Sequence, residues 1–232
     1  VQNDATGVHR FNAVTEALTL ATLPPLQKVD QGDLIATLKV IPFAVSLASV
    51  EAAQVSKPLL RLLPFQRYGF SLIQTQPASV KPATLDKAAQ ALAARLKALG
   101  STLVEDRRVD HKAGAVAKAL LDAKGDVVIL FPGAATQDRR DVGPAGLELA
   151  GGQVEHLGMP VDPGNLLFTG SIGERPVIGA PGCARSVAFN GFDWVLERAC
   201  AGLFPAPSDI QAMGIGGLLK EIPSRPLPRL KA

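Results

Sequence analysis

The chain has 232 residues, of which 47% are apolar and 19% are charged. These values indicate one large folded domain, or an ordinary domain with a smaller appendage, and they exclude global disorder. The net charge of +3 is too small, and its basic residues too scattered, to indicate nucleic-acid binding. A local basic site for a phosphorylated small molecule is compatible with this net charge. No stretch reaches the roughly 18 consecutive apolar residues that a membrane span requires.

The cysteine content indicates a reducing compartment. Two cysteines, Cys183 and Cys200, are too few for a disulfide framework, so we expect a cytoplasmic protein. The polar start, Val1–Asp4, lacks the features of a signal peptide. Because the sequence does not begin with Met, we expect it to be a piece of a longer chain.

Residues 1–64 are predicted to form a small β-rich module. A β-prone run covers Thr15–Leu23, and a turn rich in Asp and Gly between segments 26–29 and 34–41 predicts a hairpin. A short helix is predicted over Ser46–Val55.

From Tyr68 onwards, strands and helices alternate, which predicts a three-layer α/β/α fold with a mostly parallel sheet. The predicted strands cover residues 68–75, 102–104, 126–131, 153–157, 166–169 and 176–180. The predicted helices cover residues 84–100, 113–123, 144–150 and 187–201. A turn over Ser171–Arg175 makes the last two strands an antiparallel hairpin. We expect this domain to cover residues 65–204 and the Pro-rich segment 205–232 to be a tail.

Two loops that follow apolar strands are the strongest candidates for a site. They cover Gly133–Asp141 and Pro181–Ser186, and both carry small residues and arginine. In an open α/β sheet such loops lie outside the carboxyl ends of strands, where ligands bind. Small residues let a ligand approach the backbone, and amide groups at the next helix start favour an anion. We therefore predict that residues near 135 and near 184 line opposite walls of one crevice.

Three segments carry a resemblance to a known family. Arg139–Pro144 is similar to the Arg-Arg-Asp-Val-Thr-Pro segment of the molybdopterin-binding fold family, which includes molybdopterin adenylyltransferases and molybdenum insertases. Pro181–Ala184 stands where that family has Pro-Gly-Asn-Pro, and Asp162–Leu166 stands where insertases have Lys-Pro-Gly-Lys-Pro. The resemblance covers about residues 66–202 and is strongest to a subgroup in which this domain precedes a nucleotidyltransferase-like domain.

The resemblance implies a three-layer α/β/α domain, a homo-oligomer (dimer or trimer), and a site for a pterin phosphate between these loops. Molybdopterin is then the expected ligand, a nucleotide is a further one, and a fused or separate nucleotidyltransferase is the expected partner. The residues expected to contact molybdopterin are Gly133, Ala134, Ala135, Thr136, Arg139, Arg140, Pro163, Gly164, Pro181, Gly182, Cys183, Arg185 and Ser186.

Two carboxylates are the expected catalytic and metal-binding residues. Asp141, with Asp110 beside it, would hold Mg²⁺ for nucleotidyl transfer or molybdate insertion. Because Asp141 also precedes the helix predicted to start at Pro144, capping of that helix is an alternative role.

The chain also departs from the family pattern. Gly-Gly-Thr-Gly is replaced by Gly133–Thr136, whose two added methyl groups narrow the approach to the backbone. Both insertase lysines are replaced, by Asp162 and Asn165, which weakens the binding of phosphate or molybdate. Two hypotheses therefore stand: an enzyme of molybdenum-cofactor biosynthesis, or a non-catalytic scaffold that presents molybdopterin to a nucleotidyltransferase partner.

Overall fold

The computed structural model describes residues 1–219, which form two compact units, Val1–Pro64 and a second unit that begins at Phe65. The end of the predicted tail, residues 220–232, lies outside the described residues. None of the helices within residues 1–219 has the length and apolar character needed to cross a membrane.

The first unit contains as much helix as strand. Its elements are β1 (Gln2–Asn3), α1 (Ala5–Val14), β2 (Leu18–Thr22), β3 (Ala36–Val40), α2 (Leu47–Ala52) and β4 (Leu60–Arg61). β1 pairs with β4, and β2 pairs with β3, both antiparallel. The predicted pairing of segment 26–29 with segment 34–41 was wrong, because β3 pairs with β2 instead. Leu26 has a left-handed φ of 59°, and its amide donates to the Val1 carbonyl, so the backbone at this residue is not extended. Helix α1 was not predicted, because Gly7 is its single buried residue and an apolar stripe is missing.

The second unit is built on a six-stranded sheet. Its strands are β5 (Gly69–Gln76), β6 (Thr102–Asp110), β7 (Val127–Phe131), β8 (Gln153–Leu157), β9 (Phe168–Ile172) and β10 (Arg175–Gly179). They lie in the order β6-β5-β7-β10-β9-β8. The first four are parallel, and β9 is antiparallel to both of its neighbours, as the predicted hairpin requires.

Helices cover both faces of this sheet. They are α3 (Pro82–Ala98), α4 (Ala113–Leu121), α5 (Val142–Leu149), α6 (Gly191–Cys200) and α7 (Pro207–Ala212). Leu92, Phe192 and Ile210, from α3, α6 and α7, pack in one apolar cluster, while Val116 and Leu147, from α4 and α5, pack in another. Strand β7 contributes alternate side chains to both clusters and is buried along its whole length. The predicted three-layer α/β/α fold is confirmed.

Several boundaries differ from the prediction for local reasons. Helix α3 begins at Pro82 because proline suits the first helical position. Strand β6 continues to Asp110 because it pairs with β5 along its length. Helix α6 begins only at Gly191, since Asn190 and Asp193 form a capping box there.

Part of the predicted tail is folded. Helix α7 lies within it, and Ile210 and Met213 are buried against the same cluster as α3 and α6. The proline content suggested a linker, but burial of these two apolar side chains stabilises the packing of the segment against the domain.

Candidate functional site

Three loops of the second unit meet around one cavity. We name residues 132–136, after β7, the first loop, residues 180–185, after β10, the second loop, and residues 162–166, between β8 and β9, the third loop. The cavity has a volume of about 330 Å³. Its lining residues are Pro132, Gly133, Ala134, Ala135, Thr136, Asp162, Pro163, Gly164, Asn165, Leu166, Ala180, Pro181, Gly182, Cys183 and Arg185. The structure thus brings together three segments that lie far apart in the sequence.

The first loop is held by the end of β5. The Gly133 amide donates to Thr75 Oγ1 at 2.6 Å, and the same hydroxyl lies 2.8 Å from His111 Nδ1. A Cβ at position 133 would overlap the ring of Pro77 and lie 2.7 Å from the Thr75 carbonyl oxygen. Glycine is therefore needed at position 133 because the neighbouring strand comes so close.

The third loop is fastened to the start of α6 and to the C-terminal segment. Gly164 has a φ of +143°, and a Cβ there would lie 2.9 Å from the Gly191 Cα. The Gly191 amide donates to the Pro163 carbonyl at 2.8 Å. Asp162 exchanges backbone hydrogen bonds with Gly217 and Leu219, so the segment predicted to be a tail supports a wall of the cavity.

The second loop carries a charged group into the cavity wall. Its residues Gly182–Arg185 form a 3₁₀-helix in which Ala184 is fully buried in the core. Arg185 Nη2 donates to the Pro132 carbonyl and so joins the second loop to the first. Burial lowers the pKa of the Arg185 guanidinium, which remains charged because arginine titrates far above neutral pH.

Charge at the cavity is sparse. Arg185 and Asp162 are the charged residues among those that line it. A partly buried guanidinium is suited to a phosphate or carboxylate, because its five N–H donors match their oxygens. The arrangement favours a ligand with limited negative charge over one that requires several cations.

The structure shows which groups the Asp141 carboxylate contacts. It occupies the N-cap position of α5, but its carboxylate makes no hydrogen bond to the helix amides. Instead Oδ2 accepts from the amides of Gln137 at 2.7 Å and Asp138 at 2.9 Å. These two bonds, that from Gln137 first, lower the pKa of Asp141. The carboxylate therefore shapes the segment between the first loop and α5, and capping of the helix by its side chain is not observed.

Three other predicted residues lie outside the cavity lining. Arg139 donates to the Val154 carbonyl at 2.8 Å, and Arg140 pairs with Asp138 at 2.8 Å on the surface. The Ser186 hydroxyl donates to the Cys183 carbonyl at 3.3 Å. Their predicted contacts with a ligand are not supported by the lining of this cavity.

Asp110 lies in separate surroundings. It is 74% exposed, lies 3.3 Å from Lys112 Nζ, and lines a different open hollow of about 280 Å³ together with Pro77 and Arg108. Within residues 1–219, no group of three or more His, Cys, Asp or Glu side chains is arranged to hold a metal ion. Asp141 lines neither this hollow nor the cavity between the three loops, so the Mg²⁺ site expected for the pair stays a prediction, and we derive no step through Mg²⁺.

Two residues that support the cavity were not identified from the sequence. Thr75 is fully buried on β5, and Arg95 on α3 has a side chain only 10% exposed. A signal for Arg95 was present, because its neighbours one turn away, Leu92 and Leu99, belong to the apolar face of α3. A cation on such a face needs a buried partner.

Comparison with known proteins finds similarity at the level of structure. No protein-family model and no curated protein matches the chain. The molybdopterin biosynthesis moea protein from Pyrococcus horikosii is 21% identical, with a TM-score of 0.47 over 60% of this chain and 36% of that chain. A molybdenum cofactor biosynthesis protein B is 17% identical, with a TM-score of 0.42 over 59% of this chain and 95% of that chain. This chain thus matches about a third of the length of the first protein. The names of these two proteins refer to molybdopterin or molybdenum-cofactor biosynthesis.

Proposed function

We propose that this protein binds molybdopterin, or its nucleotide, in the cavity between the three loops, as part of molybdenum-cofactor biosynthesis. One observation carries the proposal: segments that resemble molybdopterin-binding motifs at residues 133–136, 162–166 and 181–184 line the same cavity. Its volume of about 330 Å³ lies at the lower end of the range for small-molecule sites.

Arg185 is the residue that we assign to the phosphate. It lines the cavity, its position is held by the bond to Pro132, and burial strengthens its attraction for an anion. The 3₁₀-helix Gly182–Arg185 and the small residues of the first loop leave backbone amides close to the cavity. A phosphate oxygen accepts hydrogen bonds from such groups without the need for lysine.

Between the two hypotheses, the site favours a scaffold that binds the ligand without transforming it. Asp141 is engaged with loop amides, Asp110 lines another hollow, and Asp162 and Asn165 occupy the positions of the insertase lysines. The scaffold would pass its ligand to a nucleotidyltransferase partner and would act as a homo-oligomer. We place it in the cytoplasm, where cysteines such as Cys183 and Cys200 stay reduced.

Nucleotidyl transfer or molybdate insertion is the second candidate function. The retained Arg139–Asp141 segment favours it, because this segment carries the similarity to the adenylyltransferase branch. The two candidates differ in turnover and share the same ligand.

Anaerobic isothermal titration calorimetry with molybdopterin tests the shared ligand. We expect the wild type to bind, and Arg185→Gln to bind about 10- to 100-fold more weakly, because one charged hydrogen bond is worth about 1.5–3 kcal/mol. Arg175→Gln is the matched control, since Arg175 is also partly buried and donates to carbonyls, those of Leu120 and Ala123, away from the cavity. The proposal would be contradicted if the wild type did not bind molybdopterin, or if Arg185→Gln bound it with the wild-type affinity.

An activity assay then separates the candidates. The protein with bound molybdopterin is incubated with Mg-ATP or with molybdate, and the nucleotide and the metal-loaded pterin are quantified. The scaffold proposal predicts binding without turnover. Turnover that is lost in Asp141→Asn, a variant that keeps one oxygen acceptor for the loop amides, would instead establish the transfer function.

A further inference from the structure

One arginine from α3 makes several contacts with the second loop and the segment that follows it. Arg95 Nη1 donates to the Ala184 carbonyl at 3.0 Å, and Nη2 donates to the Ala188 carbonyl at 3.1 Å. Its Nε pairs with Asp193 Oδ1 at 2.7 Å. The guanidinium carbon also lies 6.0 Å from the centre of the Phe192 ring. A single side chain thus contacts four residues between positions 184 and 193.

These contacts begin at the end of the second loop, which lines the cavity, and continue to the first turn of α6. Ala184 lies inside the 3₁₀-helix, between Cys183 and Arg185, which both line the cavity. Asp193 Oδ2 accepts from the Asn190 amide at 2.8 Å, and the Asn190 side-chain amide donates to the Ala188 carbonyl at 2.8 Å. The network therefore joins the second loop to the start of α6.

The Arg95–Asp193 pair is nearly removed from solvent. The two side chains are 10% and 13% exposed. A buried ion pair persists when its remaining polar groups are also hydrogen-bonded, and here two carbonyls and a backbone amide complete it. Such a network has one geometry that satisfies all its members, so it specifies the conformation of the loop.

We propose that Arg95 is the positioning residue of the ligand site: it sets the orientation of Cys183 and Arg185 through the carbonyls of Ala184 and Ala188. The ligand part of this inference rests on the proposed function. Arg95 itself is absent from the residues that line the cavity.

Lysine is the informative replacement. Its single ammonium group can pair with Asp193, but it cannot reach that carboxylate and both carbonyls together, because it lacks the planar fork of arginine. Arg95→Lys should therefore retain most of the stability that the ion pair provides, while it loses the position of the loop. Arg95→Met removes both the ion pair with Asp193 and the bonds to the two carbonyls. Arg175→Lys is the control, because it removes a guanidinium that donates to carbonyls elsewhere in the domain.

A thiol-labelling experiment measures loop position without any ligand. Cys183 lies in the second loop and is partly exposed, whereas Cys200 is fully buried and burial raises its pKa to about 11. A disulfide reagent at neutral pH should therefore react first at Cys183, and Cys183→Ser confirms the assignment. We expect Arg95→Lys to change the labelling rate by about tenfold, and Arg175→Lys to leave it at the wild-type value.

Molybdopterin affinity, measured at a temperature where each variant is fully folded, is the second readout. Arg95→Lys should bind about tenfold more weakly than wild type although its urea midpoint is close to that of Arg175→Lys, because a displaced loop weakens the ligand contacts. A purely structural role of Arg95 would lower the urea midpoint of Arg95→Lys below that of Arg175→Lys and leave the molybdopterin affinity unchanged.

The two proposals fail in distinguishable ways. If wild type binds molybdopterin and Arg95→Lys matches it in both affinity and Cys183 labelling, the positioning role is overturned while the proposed function stands. If wild type binds no molybdopterin, the proposed function fails, and the labelling rates alone decide whether Arg95 positions the loop.

Discussion

The backbone amide of Gly133 donates a 2.6 Å hydrogen bond to the hydroxyl of Thr75, across 58 positions of sequence. Thr75 is fully buried, and its hydroxyl also lies 2.8 Å from His111 Nδ1. Gly133, in the first loop after β7, is therefore held by the neighbouring strand β5. The shape of the cavity depends on the sheet as much as on the loops that line it.

Removal of the Thr75 hydroxyl should destabilise the protein. Thr75→Val keeps the shape of the side chain but leaves the partly buried Gly133 amide without its acceptor, which costs about 1–3 kcal/mol. Urea denaturation measures the change in the free energy of unfolding.

Thr169→Val is the matched control for that experiment. Thr169 is also buried, but its Oγ1 has no hydrogen-bond partner within the part of the chain that the structure describes. Loss of this hydroxyl should leave the stability unchanged or slightly raise it, because a polar group without a partner is replaced by a methyl group. Equal losses in both variants would contradict the role of Thr75.

Two glycines of the site should respond differently to an added methyl group. Gly182→Ala places its Cβ where no atom of residues 1–219, apart from its two chain neighbours, lies within 4 Å, whereas Gly133→Ala would overlap Pro77. We expect Gly133→Ala to lose about 1–3 kcal/mol of stability through overpacking. Gly182→Ala should keep the wild-type stability but bind molybdopterin about tenfold more weakly, since the methyl group restricts approach to the second loop.

Calorimetry and urea denaturation on the same samples check this pair. Gly114→Ala is the control, because position 114 also has open space for a Cβ but lies on α4. Wild-type affinity in Gly182→Ala would show that the ligand does not approach this part of the loop.

The Asp138–Arg140 pair predicts a defined pH response. The side-chain hydrogen bond from Arg140, assisted by the Arg140 amide, lowers the pKa of Asp138 from 3.8 to about 2. Because the folded-state pKa is depressed, the stabilising contribution of Asp138 is present above pH 3.8 and is lost as the pH falls towards 2.

Carbon NMR of the carboxyl groups measures this titration directly. Arg140→Gln should raise the pKa of Asp138 towards its usual value, though not fully, because the backbone amide at position 140 still donates. Asp141 serves as an internal control, since its pKa is lowered first by the Gln137 amide and should stay low in the variant. A titration of Asp138 that is identical in both proteins would contradict the assignment.

The fold and the cavity-lining loops could be predicted from local patterns. Strand β7 is a continuous apolar run that ends at a glycine-containing loop, and both features lie within a few residues of each other. The same holds for the turn between β9 and β10 at Gly173. Patterns of this kind need no knowledge of distant parts of the chain.

The supports of the cavity could not be predicted in the same way. Arg95 and Ala184 are 89 positions apart, and Asp162 meets Leu219 through backbone groups that carry no sequence signal. The roles of acidic residues were also hard to predict, because Asp141 satisfies nearby amides and Asp110 pairs with Lys112, as loop carboxylates often do.

The most direct test of a single site built from three loops is an amide NMR titration of the labelled protein with molybdopterin. We expect resonances of Ala134–Thr136, Gly164–Leu166 and Gly182–Arg185 to shift together and to fit one dissociation constant, because these three segments contribute to the lining of the same cavity. Shifts confined to one loop, shifts around Asp110 instead, or no shifts at all would contradict the account.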